Sequence, residues 1–153
     1  MSRSTPACCW PSTSRQNDLV DLTADLVTAG PSEALFSWVD DLSRYPAWLE
    51  IVPAAAPAEA RPGDPGPAWT VTLRGRLGPF SRSKRLRMVR TECDAPRRVR
   101  FERREDDGRA HSAWVLEADV HAEASGGSRL VMVLHYGGGV FEPLVEHLLR
   151  DEI

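Results

Sequence analysis

Histidine and arginine are the residues here with the most obvious chemical uses. His111, His121, His135 and His147 belong to the type that moves protons near neutral pH or holds a transition metal. Their spacing argues against both roles. His111 and His121 share a parity, yet on one straight strand they stand about 33 Å apart, too far to share an ion. His135 has the parity of an outward position and is expected across from Glu117 or Asp119, a surface pair of modest strength. His147 falls at the edge of the apolar face of a terminal helix. The chain contains no nucleophile elbow, phosphate loop or paired-carboxylate motif. Gly75-Arg76-Leu77-Gly78 and Gly137-Gly138-Gly139 are too short and misplaced to cradle a nucleotide. No catalytic residue, cofactor or metal is expected.

The stronger candidates are apolar and recur at strand spacing. Trp69 and Val71, Leu86 and Met88, Phe101, Trp114 and Leu116, and Tyr136 each fall on the inner parity of an alternating segment. Short turns then fix a register, because inner faces of neighbouring strands must coincide. Gly78-Pro79 places Trp69 opposite Met88. A four-residue loop around Asp94 places Met88 opposite Phe101, and a two-residue Asp107-Gly108 turn places Phe101 opposite Trp114. One row across the sheet is thus expected to read Trp69, Met88, Phe101, Trp114. Such a row either lines a pocket, where aromatic and thioether groups supply apolar area, or packs as an ordinary core. Arg90 and Arg103 share the inner parity, with Arg90 expected beside Val99 and Arg103 opposite Ser112. A buried guanidinium must be paired, so an inward arginine implies an acidic partner such as Glu92 or an anionic ligand group. The alternative is that both snorkel to solvent from strand ends.

The elements that must position these groups follow from the same periodicities. Residues 1–17, rich in Ser, Thr and Pro, have no periodicity and read as a disordered leader. A half-buried strand begins at Leu19, with Val20, Leu22, Ala24 and Leu26 on one side. Gly30-Pro31-Ser32-Glu33 breaks it and opens a short helix from Ser32 to about Val39. A second helical turn starts at Asp41 and ends near Trp48. After an Ala/Pro-rich stretch (residues 53–68) read as an irregular strand and loop, five alternating segments form an antiparallel meander. The last hairpin, at Gly126-Gly127, needs a three- or five-residue loop to keep inner residues paired with inner ones. Glycines 137–139 form a hinge, and Phe141, Leu144, Val145, Leu148 and Leu149 then give one apolar face of a terminal helix. From Phe141 to the end that helix is only about 13 residues, or roughly 20 Å.

Composition bounds the rest. With 153 residues, 42% hydrophobic and 27% charged, one globular domain is expected. No apolar run approaches the ~20 residues of a membrane helix. Cys8, Cys9 and Cys93 form neither a disulfide framework nor a zinc motif, which favours a reducing cytoplasm. The formal charge of −3 hides a basic middle, thirteen cations against six acidic residues between Arg74 and Arg109. No nucleic-acid-binding motif accompanies it, and alternating arginines on strands read as a solvated face, so no nucleic-acid partner is expected.

The segment Pro31-Ser32-Glu33-Ala34-Leu35-Phe36, followed by Asp41-x-x-x-Tyr45-Pro46-x-Trp48 and closed by the glycine hinge and helix, resembles the SRPBCC superfamily of START-like and pollen-allergen-like proteins. It looks most similar to bacterial members of polyketide cyclase/dehydrase or lipid-transport type, over residues 18–153. The resemblance implies an α+β helix-grip fold, in which a curved antiparallel sheet wraps a C-terminal helix and encloses a cavity. It implies binding of a hydrophobic, lipid- or polyketide-like small molecule, with a cyclase/aromatase or dehydratase activity as the alternative. The expected lining is Trp48, Trp69, Val71, Leu86, Met88, Phe101, Trp114, Leu116 and Tyr136, faced by Phe141 and Leu144, with Arg90 and Arg103 orienting a polar end. A helix this short leaves one end of the cavity open or calls for a partner chain, so a homodimer is an allowed assembly.

Overall fold

The computed structural model describes residues 19–77 and 79–137. The leader (1–17), the glycine hinge beyond Gly137 and the terminal helix with Phe141, Leu144 and His147 lie outside the described residues. The alternation from Leu19 becomes β1 (Leu19–Thr28). Pro31, extended at φ −71°, precedes α1 (Ser32–Phe36). This helix stops short of Val39, where the turns tighten: Trp38 donates to the Leu35 carbonyl, and Val39 and Asp40 both donate to the Phe36 carbonyl. Asp41 then caps a 3-10 helix (Leu42–Ala47), its carboxylate accepting from the Ser43 amide at 2.8 Å. Six strands follow: β2 (Ala54–Ala58), β3 (Ala68–Leu77), β4 (Phe80–Asp94), β5 (Arg98–Arg103), β6 (Trp114–Ala122) and β7 (Ser128–Gly137). They form one curved antiparallel sheet in the order β1-β7-β6-β5-β4-β3-β2. Among the described residues no helix is long and apolar enough to cross a membrane.

Trp69 does face Met88 across β3 and β4. The remainder of the expected row is corrected. Met88 pairs with Arg103, and Phe101 pairs with Arg90 on one side and Leu116 on the other. Two features cause the difference. The β4–β5 connection is the three residues 95–97, and a bulge between Arg90 and Glu92 inserts Thr91 unpaired, which brings the inner faces back into phase. Arg90 therefore lies across from Phe101 rather than Val99. On the next connection, pairing ends at Glu102–Val115 and residues 104–113 form a loop. Gly108 does take a positive φ of 70°, but Asp107 spends its carboxylate on the Arg109 amide and the His111 ring instead of closing a two-residue hairpin.

The β6–β7 hairpin has the five-residue loop 123–127. A Cβ on Gly127 would stand 2.2 Å from the Thr28 carbonyl oxygen, so the chain passes there only as glycine. This register puts His135 across from Val115, and from Asp21 on β1, to which it is hydrogen-bonded at 2.6 Å. The expected neighbours Glu117 and Asp119 serve Arg98 and Arg100 on the outer face instead.

Phe36, Leu42 and Tyr45 from the two helical turns and Val39 from the link between them join Val99, Phe101, Ala118 and Val120 of the sheet in one buried cluster. Each fully buried large side chain there contributes roughly 1.5–3 kcal/mol. β4 is covered on its back as well. Arg87 and Val89 point away from the cluster yet are buried, Arg87 beneath residues 59–64, where it meets Asp64 at 2.7 Å and the Glu59 carbonyl at 2.8 Å.

Candidate functional site

A cavity of about 100 Å³ opens between the helical turns and the sheet. β3 and β4 supply Val71, Leu73, Leu86 and Met88, and β6 supplies Trp114 and Leu116. Ala24, Met132 and Leu134 come from β1 and β7, and the turn region supplies Leu42, Tyr45, Trp48, Leu49, Ile51 and Val52. Among these described residues Tyr45 is the only one with a titratable group. Its hydroxyl donates to the Val39 carbonyl at 3.0 Å, and burial, reinforced by Asp40, pushes the phenol far above its ordinary value. It stays neutral and already committed, and is no acid or base at physiological pH.

Six of the expected site residues, Trp48, Val71, Leu86, Met88, Trp114 and Leu116, thus share one cavity. Trp69, Phe101 and Tyr136 sit in the packed core and not on the cavity surface. The Trp69 indole N–H donates to Asp41 and Ser43, both at 3.0 Å, which pins β3 to the 3-10 helix. The same ring meets Phe101 edge-on at 5.6 Å. Tyr136 packs against Trp114 with centroids 5.2 Å apart.

The two arginines are spent on the protein itself. Arg90 donates to the Asp40 carbonyl at 3.2 Å, while Glu92, its expected partner, bonds Arg98. Arg103 is held by Glu105 at 3.1 Å and by the Ser112 carbonyl and His111 ring. Its side chain is 7% exposed and does not line the cavity, so it does not snorkel to solvent. Lys84 lies 5.4 Å from the centre of the Trp114 ring, and burial, with Arg103 second, pulls its ammonium below the ordinary value.

Two polar atoms stand out in these apolar walls. The indole nitrogens of Trp48 and Trp114 are buried with no acceptor among the described residues. An orphaned buried donor costs about 1–3 kcal/mol. Sequence parity could have supplied Leu73, Met132 and Leu134. The lining from residues 42–52 carries no period, and only its abundance of Leu, Ile and Val hinted at burial.

Residues 20–153 match the family model described as polyketide cyclase / dehydrase and lipid transport. The chain belongs to that family. Solved structures share the fold at low identity. A Deinococcus radiodurans protein matches with a TM-score of 0.61 at 16% identity, over 87% of this chain and 91% of the other. A START superfamily protein from Mycobacterium smegmatis matches at 0.59 and 17%, over 87% of each chain. The ginseng major latex-like protein 151 from Panax ginseng matches at 0.57 and 10%, over 82% and 83%. No curated protein matches the chain.

Proposed function

We propose that the chain binds a hydrophobic small molecule, lipid- or polyketide-like, in the cavity between the helical turns and the sheet. The observation that carries this reading is a hollow whose described lining offers no ionisable group except a neutral, committed tyrosine. Burial of apolar area at roughly 25 cal/mol per Å² drives binding in such a space and asks little of geometry. Trp48, Val71, Leu86, Met88, Trp114 and Leu116 form the described part of the binding surface. The unpaired indole N–H groups of Trp48 and Trp114 give a guest bearing an acceptor oxygen a preferred orientation.

The alternative of a cyclase or dehydratase needs an acid and a base converging on the guest. Arg90 and Arg103 are engaged elsewhere, which weakens that reading. Cys93 is an exposed free thiol, in keeping with a reducing cytoplasmic setting. The test is native mass spectrometry of protein purified from its own host, followed by extraction of what co-purifies. A stoichiometric apolar guest, retained less by Trp114→Ala, is the expected result. Unchanged retention in a folded Trp114→Ala protein refutes the assignment.

A further inference from the structure

Past the cavity, β3 and β4 continue as a hairpin in which Leu73 pairs with Lys84, Gly75 with Arg82 and Leu77 with Phe80. Leu73 and Leu86 belong to the cavity wall. The arm is therefore the same two strands carried about 13 Å further, at about 3.3 Å per residue. Its composition differs from the rest of the chain. Residues 65–91 contain six arginines and Lys84 but no Asp or Glu. Arg87 and Arg90 are used inside the fold. Arg74, Arg82 and Arg85 are exposed, and among the described residues no ion pair engages them. Phe80, close to the tip, is 73% exposed, and strand alternation puts Phe80 and Arg82 on the face that carries Leu86.

A solvated phenyl ring near the tip, with Arg82 on its own face and Arg74 and Arg85 on the opposite face of the hairpin, matches one environment well. At an anionic membrane surface an aromatic ring settles at headgroup level, and each nearby arginine gains from the negative surface potential. A folded protein partner fits less well, since a stable interface takes about 800 Å² per side and Phe80 is the one large apolar side chain described on this arm. We propose that the β3–β4 hairpin docks the protein on anionic lipid, Phe80 entering the headgroup layer and Arg74, Arg82 and Arg85 contacting lipid phosphates. This goes beyond ligand binding and does not depend on it, because none of these four residues lines the cavity.

The experiment is co-sedimentation of the full chain with vesicles of phosphatidylcholine alone or of equimolar phosphatidylcholine and phosphatidylserine. Pelleting with the anionic vesicles, weakened by added salt, is expected. Arg82→Glu/Arg85→Glu should lower partition at least about 25-fold, at about fivefold per cation removed, and Phe80→Ser should lower it several-fold at the same salt. Thermal unfolding at the wild-type temperature confirms that these exposed positions leave the fold intact. Equal partition on the two vesicle types overturns the proposal, as does anionic binding that neither variant reduces. Binding of a soluble acidic protein or of an oligonucleotide in place of vesicles overturns it too. Guest retention is measured in the same variants. Vesicle binding with no guest ever found leaves docking standing and removes the carrier reading, and a retained guest with no vesicle binding does the reverse.

Discussion

Filling the cavity from β1 separates a hollow from a well-packed core. Ala24 borders the cavity and pairs with Met132 on β7. Ala24→Ile adds three carbons and a branch that suits a strand. Two routes give the size of the effect. An unfilled volume of about 100 Å³, at about 24 cal/mol per Å³, is worth about 2.4 kcal/mol. Three added methylene equivalents at about 0.8 kcal/mol each give about the same. Ordering the larger side chain takes back roughly 0.5–1 kcal/mol. A net stabilisation of about 1.5 kcal/mol should raise Tm by about 4 °C for a chain of this size. The assay pairs urea unfolding with native mass spectrometry on the same preparation. The variant should be more stable and should lose its guest. Overpacking costs about 1–3 kcal/mol, so a protein destabilised by that amount, with guest retention unchanged, would show that no such space exists.

The other expectations rest on separate features. Trp114→Phe removes an unpaired buried donor, so a guest with a carbonyl or hydroxyl oxygen should bind about fivefold more weakly while a pure hydrocarbon is unaffected, by competition titration. Gly127→Ala drives a Cβ into the Thr28 carbonyl and should destabilise the β1–β7 end by about 2 kcal/mol or more, read by denaturant unfolding. The Arg87 hydrogen bond to Asp64 holds that carboxyl at about 2, below its ordinary 3.8. The folded state therefore prefers the ionised form, and that stability is complete above the ordinary value and lost as pH falls toward 2. A Tm–pH profile should show this acid decline, and Asp64→Asn should lower the neutral Tm and flatten it.

Period-two patterning made β1 and β3–β7 readable, since each alternates and is bounded by Gly, Pro or Asp. The expected lining shares Val71, Leu86, Met88, Trp114 and Leu116 with the strand residues of the cavity but lacks Ala24, Leu73, Met132 and Leu134. Register was harder. The pattern says which side chains point inward but not how many residues a loop consumes, and a three-residue turn at 95–97 together with one unpaired residue at Thr91 moved Met88 from Phe101 to Arg103. The Asp107-Gly108 pair shows the same limit, because its side chain found a local partner in His111. Inward parity put Arg90 and Arg103 on the inner side of their strands but could not name their partners, which are a backbone carbonyl fifty residues away and a neighbouring glutamate. Arg87 and Asp64 were invisible, for a loop folding over the back of a strand leaves no period to read.

That back cover has a mechanical consequence. Where β4 presents Leu86 and Met88 to the hollow, Arg87 and Val89 behind them are sealed by a second layer clamped through Asp64. Among the described residues the vessel is thus double-skinned on one flank and single-skinned on the other, where no such layer backs Ala24, Met132 and Leu134. Stiffness and yielding are divided accordingly. Whatever breathing admits cargo has to come from the thin side, and amide hydrogens at 86–89 should be among the last to exchange.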